Sequence, residues 1–271
     1  MKPAIVAIVS DTHIGSTTAL CLPEWSWDSG VVDQHGEQIR GSYKFSREQE
    51  WIYNNWLDYW SYAKRLAGKK YRIITVHVGD VVDGDHHQTV QAIPNIEDQE
   101  SLAVEILKPI ANMGDMYFIR GTGAHAGELS RSEVRVAKEL GAKMCVWELI
   151  LSVNNILIDF AHHGRAGGRL WTSAGAGSAT ESVVEAAIGN RKLPRYVFRG
   201  HNHIIDDSGE KNPTTRYISL PSWQLRTEYG YKVSPGTRSD IGGVIVLPDG
   251  SLDLSKLRYF AAPGQRRIIN A

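Results

Sequence analysis

The chain reads as an α/β protein, on three observations. Short β-branched runs recur at residues 4–9, 71–78, 116–120 and 195–199; apolar residues at helical spacing lie between several of them; and each run leads into a loop carrying Asp or His. Such alternation favours helices laid against a sheet over a helical bundle or a simple barrel. With 271 residues, 42% of them hydrophobic, the chain can bury a sizeable core. We read it as one domain over 1–271, with an aromatic-rich loop and helix inserted at about 15–67.

Residues 4–9, Ala-Ile-Val-Ala-Ile-Val, start close to the beginning and run toward Asp11, which suits a buried first strand rather than a secretory leader. Residues 15–45 carry Gly, Pro, Ser and isolated Trp without a sustained period, and are expected to be an elaborated loop. Trp25, Trp27, Tyr43 and Phe45 either pack it down or wall a pocket. Ser46 and Gln49 form a capping box, and Ile52, Trp56, Tyr59, Ala63 and Leu66 share a face before Gly68 stops the helix. Residues 71–78 form a strand ending in Gly79-Asp80-Val81-Val82-Asp83.

A second helix is expected over about 97–112, where Leu102, Ala103, Ile106, Leu107 and Ile110 align. Met116–Arg120 is a strand leading into Gly121-Thr122-Gly123-Ala124-His125, and a short helix follows from Ser130 to Leu140, closed by Gly141. Runs 144–151 and 156–161 flank Asn154-Asn155, a tight-turn pair, and lead to His162-His163-Gly164. The Gly, Ser and Ala of 164–179 predict a mobile loop, and Ser178 with Glu181 a capping box for a helix through Ile188. Strand 195–199 presents Gly200-His201-Asn202-His203; runs 216–220 and 241–247 suggest a second sheet, and 260–271 a polar periphery.

Thirty basic residues balance thirty acidic ones, which argues against a broad nonspecific duplex-binding surface. Lys69-Lys70-Tyr71-Arg72 reads as a solvated turn. Cys21 and Cys145 are too few for a disulfide framework, and no apolar run approaches the roughly 18 residues of a membrane span. A cytoplasmic protein with no membrane partner is therefore expected. The phosphate-cradling Gly-X-X-X-X-Gly-Lys-Ser/Thr loop, the dinucleotide fingerprint and the Gly-X-Ser-X-Gly elbow are all missing.

Asp11 and His13, two apart on extended backbone, can offer an oxygen and a nitrogen from one loop. Asp80 follows a glycine that lets the backbone pass close to an ion, and its carboxylate can bridge two metals about 3.5–4 Å apart. His201 and His203 flank Asn202 after a glycine; of the adjacent His162 and His163, one is expected to ligate and the other to support. Asp83 is a candidate supporting carboxylate, and His86 or His87 a substrate-contacting or supporting group. Eight of the ten histidines lie in or near loops after candidate strands. A mixed nitrogen and oxygen set suits Mn, Fe, Ni or Zn better than Ca or Mg, and two such ions imply metal-assisted hydrolysis.

Asp11-X-His13, Gly79-Asp80-X-X-Asp83, His162 or His163 and Gly200-His201-X-His203 resemble, in order and over about residues 5–205, the signature of the calcineurin-like metallophosphoesterases. The resemblance implies a four-layer α/β/β/α sandwich with two central mixed β-sheets and two divalent ions at one edge, manganese first among them. It implies Asp11, His13, Asp80 and His203 around one ion, and Asp80, His201 and one of His162 and His163 around the other. The family's Gly-Asn-His is here Gly121-Thr122-Gly123-Ala124-His125, so that Thr122 replaces the amide ligand and His125 supplies the displaced histidine. His125, or His87 in its place, would assist at the phosphate, with Asp83 in support. The expected substrate is a phosphodiester, including a nucleic acid or nucleotide, with a phosphomonoester or a non-catalytic metal-binding scaffold as the alternatives. The oligomeric state is left open.

Overall fold

A computed structural model describes residues 2–85, 90–126, 130–164, 171–209, 214–228, 230 and 238–260. In chain order the elements are β1 (Ala4–Val9), β2 (Glu24–Val32), β3 (Gln38–Lys44), α1 (Arg47–Ala67), β4 (Arg72–Val78), α2 (Ile96–Ala111), β5 (Gly114–Ile119), α3 (Gly123–Ala126) and α4 (Arg131–Glu139). Then come β6 (Met144–Val146), β7 (Glu148–Val153), β8 (Ile156–Ala161), α5 (Trp171–Ile188), β9 (Tyr196–Arg199), β10 (Asp206–Asp207), β11 (Arg216–Ser219), β12 (Ser239–Ile241), β13 (Val244–Val246), β14 (Leu252–Asp253) and β15 (Arg258–Phe260).

Two mixed sheets form the centre. The first has the order β14-β13-β1-β4-β5-β6, parallel from β1 to β6 and antiparallel at β13 and β14; the second has the order β10-β11-β9-β8-β7, with β8, β9 and β11 parallel. Every residue of β1 is buried, because its alternate side chains enter different layers. Ile5, Ala7 and Val9 meet the face covered by α1, α2 and α4, whereas Ala4, Val6 and Ile8 enter the seam between sheets with Ile158, Phe160 and Phe198. Helix α5 packs on the far face of the second sheet, against β9, β10 and β11. The result is the expected α/β/β/α sandwich.

Local rules account for several elements. Ser46 and Gln49 close the capping box of α1, and the buried Gln49 amide also donates to the carbonyls of Ser16 and Ala19, both at 3.1 Å. Asn154 and Asn155 both adopt positive φ, at 49° and 68°, as a two-residue turn between β7 and β8 requires. No helix among the described residues is long and apolar enough to cross a membrane.

Four expectations need correction. Within 15–45, β2 and β3 pair as an antiparallel hairpin, with Trp25 opposite Tyr43 and Trp27 opposite Gly41; Gly41 leaves a flat seat that a Cβ would remove by overlapping the Trp27 ring. Of the two roles open to Trp25, Trp27, Tyr43 and Phe45, packing is the one observed: all four lie against the helical side of the core. Helix α5 begins at Trp171, well before Ser178, so the Ser178–Glu181 pair does not mark a helix start; residues 165–170 of the expected loop lie outside the described residues. Runs 144–151 and 241–247 are each divided: the chain changes sheets at Trp147, and Gly242-Gly243 separates β12 from β13, which joins the first sheet. The expected peripheral segment beyond 260 also lies outside the described residues.

Candidate metal centre

Parallel β1 and β4 end side by side, and their loops continue to bond after the strands stop. Asp11 N donates to Gly79 O at 3.0 Å, His13 N to Asp80 O at 3.1 Å and Ile14 N to Val81 O at 3.0 Å. Thr12 Oγ1 donates to Val81 O at 2.8 Å, so its 3.0 Å contact with buried His77 must use an Nε2–H of the imidazole. Trp223 N, from a later loop, donates to Asp11 O at 2.9 Å. The backbone that carries the two aspartates is thus fixed from three directions.

Backbone strain is concentrated here. Nine described non-glycine residues have positive φ, and five of them are Asp11, His13, Asp80, His201 and His203. Left-handed backbone is uncommon for such residues and costs on the order of 1–3 kcal/mol each, so it persists only where surroundings enforce it. Gly200 is required by close approach: a Cβ there would lie 2.8 Å from Val78 O and 2.9 Å from Asp11 Oδ2. Gly79 has φ +86°, and a Cβ on it would overlap the His162 imidazole.

The side chains form two adjoining groups. In one, His13 Nε2 and His203 Nε2 are 3.0 Å apart, and Asp11 Oδ1 lies 3.2 Å from His203 Nε2 and 3.9 Å from His13 Nε2. Two nitrogens at a right angle and about 2.1 Å from an ion would be separated by about 3.0 Å. In the other, His162 Nε2 lies 3.0 Å from Asp80 Oδ2, and Thr122 Oγ1 touches Asp80 Oδ2 at 3.2 Å, His162 Nε2 at 3.2 Å and His201 Nδ1 at 3.3 Å. Asp11, Asp80 and His162 have ligand atoms within 4.8 Å of one another, which joins the groups. His163 sits at the exposed rim, edge-on to His201 with ring centroids 4.5 Å apart.

Acceptors behind the imidazoles orient them. His162 Nδ1 meets Val78 O at 2.7 Å and His125 Nδ1 meets Asp83 O at 2.7 Å; a carbonyl only accepts, so both nitrogens carry hydrogen and each Nε2 turns inward. His125 Nε2 is 3.9 Å from Asp80 Oδ2, and its ring lies 4.5 Å from that of His13. Asp83 Oδ1 lies 3.1 Å from His13 Nδ1, without the alignment of a full hydrogen bond, and its carboxylate accepts from Gln224 at 3.0 Å and Gln91 at 2.8 Å. His86 and His87 lie outside the described residues.

The electrostatics favour positive charge. Burial raises the pKa of Asp80, but the facing histidines, His162 first, outweigh it and hold Asp80 well below the usual carboxylate range. Burial lowers His162, yet Asp80 outweighs that and pushes it up to about 10. His201 falls to about 4 through burial and the charge of His162. Beneath Asp80, Glu133 of α4 is fully buried, with Oε2 unpartnered and Oε1 3.5 Å from Val81 N; burial, reinforced by Asp80, pushes its carboxyl up to about 8. The carboxylate and imidazole set, with ring nitrogens turned inward, fits divalent ions of borderline hardness once His162 gives up its proton.

Of the residues singled out in the sequence, Asp11, His13, Asp80, Asp83, Thr122, His125, His162, His201 and His203 converge, with His163 at the rim. The sequence reading missed His77, Glu133, Gln91 and Gln224. His77 carried a signal as a polar residue inside an apolar strand; the others carried none, because only folding brings them near.

The sandwich of two mixed sheets between helices, with Asp- and His-bearing loops gathered at one edge, is the architecture that the resemblance to the calcineurin-like metallophosphoesterases led us to expect. No family model matches the chain, and no curated protein does. Among solved structures, an archaeal phosphodiesterase is 11% identical, with 94% of this chain and 99% of that one covered and a TM-score of 0.40. Yfce, a phosphoesterase from E. coli, is 12% identical over 92% and 96%, with a TM-score of 0.42. A hypothetical protein from Pyrococcus horikoshii is 10% identical over 92% and 86%, with a TM-score of 0.47. Likeness at this level carries no argument about chemistry, which rests on the residues themselves.

Proposed function

We propose that the protein is a metal-dependent phosphoester hydrolase that cleaves phosphodiesters at a two-ion centre. The observation that carries this reading is the convergence of the two groups, Asp11, His13 and His203 beside Asp80, His162, His201 and Thr122, with Asp11 and Asp80 at their junction. Manganese is our first assignment for the ions, with nickel, zinc or iron as alternatives. Two such ions polarise a phosphoryl oxygen and lower the pKa of a water. The diester is preferred to a monoester because the loop carrying His201 and His203 also borders a cavity beside Asn202, where a second ester group has room.

The chain's own groups supply the rest. His125 holds a lone pair on Nε2 toward the cluster because its Nδ1 is committed to Asp83 O; protonated there, it would donate to the departing oxygen. His13 is oriented from behind by Asp83, and Thr122 N donates to Asp80 Oδ1 at 2.6 Å, leaving Oδ2 to the His162 side. Burial of both aspartates keeps water from competing for their charge. Cys21 and Cys145 are both free thiols, which supports assignment to the cytoplasm.

The test is hydrolysis of bis-p-nitrophenyl phosphate beside p-nitrophenyl phosphate, using metal-stripped protein reloaded with Mn, Ni or Zn, and the same assays on His203→Ala. Faster diester turnover that requires metal and is lost in the variant is expected. Two bound ions with no turnover of either ester would overturn the enzyme reading in favour of a metal-binding scaffold.

A further inference from the structure

We propose that the cavity beside the His201–His203 loop is a subsite for a nucleobase bearing an exocyclic amino group, presented by a nucleotide phosphoester. This rests on the phosphoesterase reading and names the substrate class. The cavity, about 240 Å³, is lined by Asn202, Ile204, Ile205, Asp206, Tyr217 and Ser219. That is below the roughly 300 Å³ at which pockets for drug-sized ligands begin, and suits one flat ring system. Asn202 separates two candidate metal ligands along the backbone, so occupant and phosphate would be held by one short loop. Asn202 N donates to Gly200 O at 2.8 Å, and Ile205 N to Asp240 Oδ2 at 2.9 Å, which fixes that loop at both ends.

The lining follows from register. Strands β10 and β11 pair Asp206 with Ser219, so these side chains leave the same face of the sheet, and Tyr217, two residues before Ser219, shares it. Ser219 Oγ is buried, with 2% of the residue exposed, and has no hydrogen-bond partner; it lies near the Tyr217 phenol without an aligned bond. A buried hydroxyl left so is destabilising unless something else satisfies it. The Asn202 amide and the Asp206 carboxylate likewise make no side-chain hydrogen bond to a described residue. Three polar groups with spare capacity therefore converge between the apolar walls of Ile204, Ile205 and the Tyr217 ring.

Their chemistry selects the ligand. An ionised carboxylate only accepts, so Asp206 favours the amino groups of cytosine, adenine or guanine, while the Asn202 amide and Ser219 hydroxyl can each donate or accept. Tyr217 and the isoleucines offer apolar surface to the ring. Uracil, which presents a carbonyl where cytosine presents its amino group, would set one acceptor against another at Asp206.

The experiment is calorimetric titration of cytidine, adenosine, guanosine and uridine, which lack phosphate, into metal-stripped wild-type protein and into Asp206→Asn, with thermal melts confirming that both fold. The tightest-bound amino-bearing nucleoside is expected to bind about tenfold or more tighter than uridine, and the variant to bring the two within about threefold. Failure of all three amino-bearing nucleosides to bind the folded wild-type protein, or binding by none of them tighter than that of uridine, overturns the inference whatever the phosphodiesterase assays give. Discrimination at this cavity in a protein that hydrolyses no phosphoester with any metal leaves the base site standing and overturns the hydrolase reading.

Discussion

Glu133→Gln tests whether the carboxyl beneath Asp80 is held neutral by its surroundings. Glu133 is fully buried, its Oε2 has no partner, and its proton leaves at about 8 rather than at the ordinary 4.5, through burial first and the charge of Asp80 second. Its folded pKa is raised, so its contribution to stability is fully present below pH 4.5 and is lost as pH rises through about 8. At about 1.36 kcal/mol per pH unit, the loss across that window is on the order of 4 to 5 kcal/mol, a large part of the roughly 5–15 kcal/mol that holds a typical protein folded. The amide substitution would keep the shape and remove the titration. Urea unfolding of metal-stripped wild type and variant at pH 5, 7 and 9 provides the measurement. The two should be alike at pH 5, and by pH 9 the variant should be the more stable by about 3 to 5 kcal/mol. His162 titrates in both proteins, so the difference isolates Glu133. A gap that stays within about 1 kcal/mol from pH 5 to 9 would refute the reasoning, and loading with divalent ions should shrink the gap because added positive charge stabilises the Glu133 carboxylate.

Three further outcomes follow. Asp83→Asn takes the charge from behind His13, and with it one of the two oxygens that accept from Gln224 and Gln91, and should weaken metal binding by about 10–100-fold, read by competition with a metal-sensitive dye; unchanged affinity would remove Asp83 from its supporting role. Thr122→Val deletes the hydroxyl shared by Asp80, His162 and His201 and should lower occupancy of one ion selectively, whereas Thr122→Asn, with an amide oxygen, should raise it; elemental analysis after dialysis gives the ratio, and equal occupancy in all three proteins would contradict the assignment. Metal uptake should release protons, since His162, pushed up to about 10 by the facing Asp80, is protonated near neutrality and must lose that proton to ligate; affinity should therefore climb with pH toward 10, and a flat profile from pH 6 to 9 would count against His162 as a ligand.

The sequence made the ligand loops legible because each is a local event: an apolar run ends, a glycine follows or precedes, and an Asp or His stands at the turn. The same locality revealed α1 through Ser46 and Gln49, and the β7–β8 turn through Asn154 and Asn155. Features set by distant partners were not legible. Trp147 looks like the continuation of a strand, and only the two separate sheets make it a crossover. In α5, the first turns contain Ala, Gly and Ser with little amphipathic contrast, so the internal Ser178–Glu181 pair looks like a beginning. The hairpin at 24–44 hides its pairing because Trp27 packs across Gly41, a relation invisible along the chain. Within the site, Asp11 and Asp80 announce themselves, but Gln224 stands 141 positions beyond Asp83 and reaches it only once the intervening chain has folded.

The scattering of the ligand loops along the chain also constrains when the centre can exist during synthesis. Asp11 and His13 are made well before His203, which stands 190 positions beyond His13 and completes their group, and before Trp223 and Gln224, which supply the bonds that fix Asp11 and Asp83. Any nascent chain ending before residue 203 lacks the full set, whatever metal surrounds it. The candidate centre is therefore complete only after the chain through His203 has been made, and a product truncated before that residue is expected to hold divalent ions poorly.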